Sequence, residues 1–142
     1  MNHDPKDRTD MTMTKRTNWR NEQGQSLTEF ALMLPILLLV LFGIVQLGIV
    51  FNHYITVADA SRAGARKAVV SRQAANPTAA AVAATRASAT NLNQSKLGVI
   101  VSSSWADGAD VSVTATYPYT VSLLGIVVKS GTLTSKTTER LE

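Results

Sequence analysis

The chain has 142 residues, of which 45% are hydrophobic, and this length allows one compact domain at most. The formal net charge is +4, but the basic residues are spread along the chain without an aromatic-basic stripe, which argues against nucleic-acid binding. The chain has no cysteine, which excludes a disulfide framework and a thiolate metal site.

The first segment, Met1–Gln23, is polar and mixed in charge. It lacks the apolar periodicity of a folded element, so we expect residues 1–24 to form a disordered cytoplasmic leader. Lys15, Arg16 and Arg20 precede an apolar run and favour retention of this end in the cytoplasm. Basic residues also follow that run, at Arg62, Arg66, Lys67 and Arg72. Charge counting alone therefore does not set the orientation.

The apolar run extends over Phe30–Phe51 without a charge, and Gln46 is its one strongly polar side chain. A membrane-spanning helix needs about 20 mainly apolar residues, which the run supplies. A helix also satisfies its own backbone hydrogen bonds in lipid. We predict one transmembrane helix within residues 25–51, with His53 and Tyr54 at its outer interface.

Glu29 lies directly before the apolar run, where burial of a carboxylate is costly. Ser26-Leu27-Thr28-Glu29 is a Ser-x-x-Glu capping box, in which the two side chains accept from each other's backbone N–H. This interpretation predicts that the helix starts at Ser26, with the carboxylate at the positive end of the helix dipole.

A second interpretation of the same stretch adds Gly24 and Phe30. Gly24, four further residues and Glu29-Phe30 before a long apolar helix resemble the processing site of type IV pilin-like proteins. The resemblance implies cleavage between Gly24 and Gln25 by a membrane aspartic peptidase on the cytoplasmic side. It also implies that Glu29 pairs with the N-terminal ammonium of a neighbouring subunit. Capping before assembly and pairing after it are compatible.

A longer stretch, Gln25–Val70, is similar to TadE-like pilus assembly proteins. The resemblance lies in Leu34-Pro35, in Phe42-Gly43-Ile44 and in Ala60-Ser61-Arg62-Ala63-Gly64-Ala65-Arg66. The family's usual version of the last element reads Ala-Arg-x-Gly-Ala-Arg, from which Ser61 departs. The similarity is close over about a third of the chain and weak over the remainder.

The resemblance implies a pilin-like minor subunit, or pseudopilin, for assembly of a tight-adherence (Flp-type) pilus. The implied location is the bacterial inner membrane, crossed once, with a cytoplasmic N-terminus and residues 52–142 as an extracytoplasmic, periplasmic domain. The implied partners are a prepilin peptidase, other pilin-like subunits and the inner-membrane pilus assembly platform. We expect no cofactor or metal, because the sequence contains no P-loop, dinucleotide fingerprint, zinc-protease helix or EF-hand loop.

Small and kinking residues indicate where this helix contacts other chains. Pro35 favours a kink, and Gly43 and Gly48 favour close helix contact, although they lack the Gly-x-x-x-Gly spacing. The helical pattern continues to Val70. One face there is Val57, Ala60, Gly64 and Ala68, and another is Asp59, Arg62 and Arg66. The candidate subunit contacts are Pro35, Gly43, Gly48, Arg62, Gly64 and Arg66, with a surface ion pair of Asp59 as the alternative for the arginines.

The part of the sequence after Val70 predicts an α+β fold. Asn76-Pro77 opens a second helix that runs to Thr90, with Asn76 as the N-cap. From Leu97 onward the period becomes two, which predicts about three antiparallel strands. We expect Pro118 to end the best strand.

Two segments follow the best strand in the prediction. Tyr119–Lys129 is expected to be an apolar connection, buried or facing a subunit. Gly131–Arg140 is expected to be the last strand, rich in threonine.

Other interpretations remain open. A permanently anchored single-pass protein with a partner- or ligand-binding outer domain would be neither cleaved nor assembled. Ala58-Asp59-Ala60 has the spacing of a signal-peptidase site, but the apolar run is longer than a usual signal sequence. The only histidines are His3 and His53, and no catalytic set is evident, so we expect the substrate of an enzyme rather than an enzyme.

Overall fold

The structure is a computed structural model that describes residues 19–123 and 125–142, with side chains from residue 24 onward. Its elements are α1 (Trp19–Val70), α2 (Pro77–Ser88), β1 (Gly98–Ser102), β2 (Asp110–Leu123) and β3 (Ile126–Arg140). The predicted fold class is confirmed: a long apolar helix, a short second helix and a three-stranded antiparallel sheet. Most of the predicted leader, residues 1–18, lies outside the described residues.

The chain divides into two compact units, of which the first ends at Leu37 and the second is Leu38–Glu142. In the described part, Gly24–Val70 of α1 is the one stretch of helix long and apolar enough to cross a membrane. Its most apolar window has a mean hydropathy of 2.7, and none of that window is buried in the chain. A soluble protein rarely exposes so many large apolar side chains together. The chain is therefore a candidate single-pass membrane protein.

In the second unit, the last third of α1 packs against one face of the sheet. Val57, Ala60 and Ala68 are fully buried, as the helical pattern predicts. The facing positions on β2 alternate strictly between buried apolar and half-buried Ser or Thr residues. The buried ones are Val111, Val113, Ala115 and Tyr117. One apolar face of the sheet thus forms the core with α1, and α2 adds buried Ala81 and Thr85.

The start of α2 follows the sequence prediction. Asn76 caps the helix by accepting a hydrogen bond from the backbone N–H of Ala79 at 2.9 Å, and Pro77 occupies the first turn. The helix ends at Ser88, two residues before the expected Thr90.

The prediction that Pro118 ends its strand is wrong. β2 continues to Leu123, with Pro118 paired opposite Thr132 of β3. β1 pairs with β2 only as far as Thr116, so beyond that residue one side of β2 is a free edge. Proline, which lacks an N–H, is tolerated where a strand has such an edge.

The expected connection Tyr119–Lys129 is also wrong, because these residues form the end of a β-hairpin. β3 begins at Ile126 rather than Gly131, and Leu123 pairs with Ile126. The turn contains Gly125 at φ +84, a left-handed conformation that favours glycine. Alternation continues through Leu123, but Pro118 was taken as the end of the strand, and the apolar run Leu123–Val128 does not alternate.

Candidate functional site

The stretch Gly24–Phe30 lies inside α1 rather than at its start. The helix begins at Trp19, so the prediction of a helix start at Ser26 is wrong for the unprocessed chain. An N-cap residue needs non-helical backbone, which Ser26 does not have here. Glutamate, glutamine and arginine in residues 19–23 are good helix formers, and extension of an existing helix is inexpensive.

Glu29 has a different partner from the one that the capping box predicts. Gln25 donates from Nε2 to Glu29 Oε1 at 3.0 Å, one helical turn away. Thr28 donates from Oγ1 to the carbonyl oxygen of Gly24 at 2.9 Å. The two residues on either side of the predicted scissile bond are therefore each linked to the next turn of the helix.

The predicted processing site is open to another protein. Every residue from Gly24 to Phe30 is exposed, and Phe30 retains 59% of its accessible surface. A Cβ atom added at Gly24 would have no neighbour within 4 Å. Among the side chains from residue 24 onward, the surroundings of Gly24 are therefore open.

Arg62 and Arg66 of the element Ala60–Arg66, which we call the arginine-rich element, lie on the outer surface of α1. Arg62 Nη1 and Asp59 Oδ1 are 3.0 Å apart, and both side chains are more than half exposed. Such an i,i+3 pair contributes only about 0.2–0.5 kcal/mol. Arg66 is exposed and borders a surface cavity of about 430 Å³ next to the end of β3. Both arginines are accessible to a neighbouring subunit.

Gly64 belongs to the same sequence element but faces inward. A Cβ atom here would overlap Thr85 Oγ1 of α2 and would lie 3.1 Å from Val113 Cγ1 of β2. The structure thus gives Gly64 a role inside the chain, where it lets α1 approach α2 closely. Gly43 and Gly48 differ, since nothing lies within 4 Å of a Cβ atom added at either position.

Ser61, the residue that departs from the family's usual pattern, is fully buried. Its hydroxyl donates to the carbonyl oxygen of Ala58 at 2.8 Å. Its Oγ also lies 3.0 Å from Ser135 Oγ and 2.8 Å from Thr137 Oγ1, both on β3. A serine hydroxyl has one proton and two lone pairs, so these three contacts satisfy it. The departure at Ser61 is visible in the sequence, but this link between α1 and β3 was not predicted from it.

His53 lies beside the core rather than near other ligands. Its ring meets that of Tyr117 in an edge-to-face contact with centroids 5.4 Å apart. Within residues 24–123 and 125–142 there is no group of three or more His, Cys, Asp or Glu side chains that could hold a metal ion.

Residues 24–66 match the family model described as TadE-like protein. The match begins at the glycine of the predicted processing site and ends at the last arginine of the arginine-rich element, so it covers under a third of the chain. It confirms the resemblance found in the sequence and points to involvement in a tight-adherence pilus system. That family is structural rather than catalytic. Neither the curated proteins nor the solved structures gave a match.

Proposed function

We propose that the chain is a pseudopilin of a tight-adherence pilus, and that a prepilin peptidase removes its leader after Gly24. The observation that carries this proposal is the pattern Gly24, Glu29 and Phe30 at the polar end of an apolar helix, at the first residue of the family match. In the proposed arrangement residues 1–24 are cytoplasmic, residues 25–51 cross the inner membrane and residues 52–142 lie outside it. The mature chain packs with other pilin-like subunits on the assembly platform.

Cleavage at this position requires local unwinding of α1. The scissile bond lies inside the helix, whereas a peptidase acts on backbone that it can contact on both sides of that bond. Glycine lowers helix stability by about 1 kcal/mol relative to alanine, so Gly24 reduces the cost of opening the helix at this position. Residues Gly24–Phe30 are exposed, so this opening takes place at the surface of the chain.

Removal of the leader changes the surroundings of Glu29. The mature helix begins at Gln25 and carries a new ammonium group, so the carboxylate comes to lie near the positive end of the helix dipole. A carboxylate at the centre of a membrane costs about 2.5–3.5 kcal/mol. In the proposed assembly the N-terminal ammonium of a neighbouring subunit offsets that cost. The bond from Gln25 Nε2 holds the carboxylate before processing.

The test of processing is Gly24→Leu, expressed in the native host with its pilus machinery active. A leucine side chain at the cleavage position blocks the close approach of the peptidase to the backbone, so we expect a chain that keeps residues 1–24. Intact mass measures the outcome, with N-terminal sequencing of the wild-type chain expected to start at Gln25. Gly48→Leu is the matched control, since it adds the same side chain at an equally open position of α1.

Two results would contradict the proposal. Normal loss of the leader in Gly24→Leu would remove the prepilin interpretation. A wild-type chain that still begins at Met1 would favour a permanently anchored protein with an outer binding domain.

A further inference from the structure

The two ends of β3 differ in surface chemistry. Its first three residues, Ile126, Val127 and Val128, are apolar and retain 71%, 59% and 60% of their accessible surface. Threonine, serine and charged residues make up most of the strand after them. Large apolar side chains that lie exposed next to one another point to an interaction site. We call Ile126–Val128 the apolar start of β3.

The opposite end of β3 borders the surface cavity of about 430 Å³, which we call the Val70 cavity. Val69 and Val70 of α1 line it, together with Glu139 and Arg140 of β3. Val70 is 81% exposed, so its side chain is open to another molecule. Cavities that bind apolar groups typically have volumes of about 300–1,000 Å³. The Val70 cavity is therefore large enough to receive apolar side chains.

β3 runs along α1, from the level of Gln46 to the level of Val70. Gly125, directly before the apolar start, lines a second cavity together with Gln46, whereas Glu139 lines the Val70 cavity. The helical rise between Gln46 and Val70 amounts to about 36 Å. The strand rise between Val127 and Glu139 amounts to about 40 Å. These similar lengths indicate that the apolar start and the Val70 cavity are displaced from each other mainly along α1.

Membrane anchoring determines how these two surfaces can meet. Copies whose α1 crosses the membrane in the same sense all have β3 in the same orientation. At equal depth, an apolar start therefore lies at the level of other apolar starts. It reaches the Val70 cavity of another copy only when one copy is displaced by about 40 Å along α1. Such a contact between two different surfaces of one chain is heterologous and generates an open filament when it does not close into a ring.

Charged residues beside the two surfaces favour the same contact. Lys129 directly follows the apolar start, and Glu139 and Glu142 line the Val70 cavity. Arg66 and Arg140 line it as well. The glutamates attract Lys129 and the arginines repel it, which restricts the orientations in which the apolar start can enter.

We propose that the apolar start of β3 docks into the Val70 cavity of a second copy of this chain, so that successive copies join head to tail. A second copy is the favoured partner, because each copy carries both surfaces and α1 gives all copies one orientation. The contact names a partner within the proposed function and rests on it, since the displacement along α1 requires assembly of subunits. Three apolar side chains bury less than the roughly 1,200 Å² of a stable interface, so the contact adds to the packing of α1.

The absence of cysteine permits a direct test by cross-linking. Val127→Cys and Val70→Cys are combined in the full chain, which is expressed in the native host with its pilus machinery active and then oxidised. Within one chain the two positions are too far apart for a disulfide, which needs Cα atoms about 4.4–6.8 Å apart. We expect dimers and longer multimers linked by disulfides, because each copy carries one cysteine for each of its two neighbours.

The controls use the same cysteines one at a time. Each single variant should stay monomeric, because it supplies only one half of the contact. Thr134→Cys in place of Val70→Cys should also give no multimers, since Thr134 is exposed in the middle of β3. Dimers of Val127→Cys alone would assign the apolar start to a symmetric contact and overturn docking into the Val70 cavity.

Intact mass of the same preparations separates this proposal from the proposed function. Absence of multimers from a chain that begins at Gln25 and is recovered in pili would overturn the head-to-tail contact alone. Absence of multimers from a chain that still begins at Met1 would overturn both.

Charge reversal tests the orientation of the contact. Lys129→Glu in the double-cysteine chain should lower the fraction of multimers by up to about fivefold, the range for an exposed charge pair. Addition of Glu142→Lys should restore the multimers, because it reverses the charge on the other side. Lys136→Glu, at an exposed lysine in the middle of β3, is the matched control and should change nothing. Equal multimer fractions for Lys129→Glu and Lys136→Glu would overturn the proposed orientation.

Discussion

Ser61 shows how one hydroxyl group joins distant parts of this chain. It lies in the arginine-rich element of α1, at the position where the family's usual pattern has alanine, and contacts Ser135 and Thr137, more than 70 residues later. The departure from the pattern is visible in the sequence. The partners were not predictable, because they are set by which face of β3 packs on α1.

We predict that Ser61→Ala, which restores the family's usual residue, destabilises this chain. The change leaves two half-buried hydroxyl groups without their partner, which costs about 1–3 kcal/mol. The free energy of unfolding is measured by urea denaturation of the detergent-solubilised chain, followed by Trp105 fluorescence in a Trp19→Phe background. Ser104→Ala, at an exposed serine, is the control and should change stability by less than about 0.5 kcal/mol.

Addition of Thr137→Val to Ser61→Ala should restore part of the lost stability, because it removes one of the two hydroxyl groups left without a partner. A Ser61→Ala chain as stable as the wild type would mean that water replaces the lost contacts.

Among the helices and strands, the features that depend on neighbouring residues in the sequence were predicted correctly. The cap at Asn76 and the alternation through Tyr117 are such signals, and both were confirmed. Pro118 and the start of α1 were misjudged for non-local reasons. Continuation of β2 past Pro118 depends on pairing with β3, and extension of α1 to Trp19 depends on the long helix that follows.

The contact between α1 and α2 depends on the absence of a side chain at Gly64. We predict that Gly64→Ala destabilises this contact. The added Cβ atom would overlap Thr85 Oγ1 and approach Val113, and overpacking of this kind costs about 1–3 kcal/mol. The same urea measurement applies. Gly43→Ala is the control, because its Cβ atom meets open space.

Thr85→Ala should partly rescue Gly64→Ala, since it removes the overlapping oxygen while the Ala81 carbonyl keeps its helical hydrogen bond. Equal stability of the Gly64→Ala and Gly43→Ala chains would contradict a close approach of α1 and α2 at Gly64.

In the whole molecule, the two ends of the apolar run have different surroundings. The outer end is held by a folded unit with its own core, whereas the inner end carries the exposed carboxylate of Glu29, which accepts a hydrogen bond from the amide of Gln25. In the proposed function, processing converts that inner end into a helix start with a positive charge. The folded unit then needs no change when the leader is removed, and the proposal assigns assembly to Glu29.

We predict that Glu29→Ala still inserts into the membrane and loses its leader but assembles poorly, because the ammonium of a neighbouring subunit then has no partner. Glu29→Gln should fail in the same way, since it keeps a hydrogen-bonding group but not the charge. Surface piliation by electron microscopy, with intact mass to verify processing, measures the effect. Glu22→Ala is the matched control, because that acid is removed with the leader. Wild-type piliation of Glu29→Ala would limit the carboxylate to a local role in the helix.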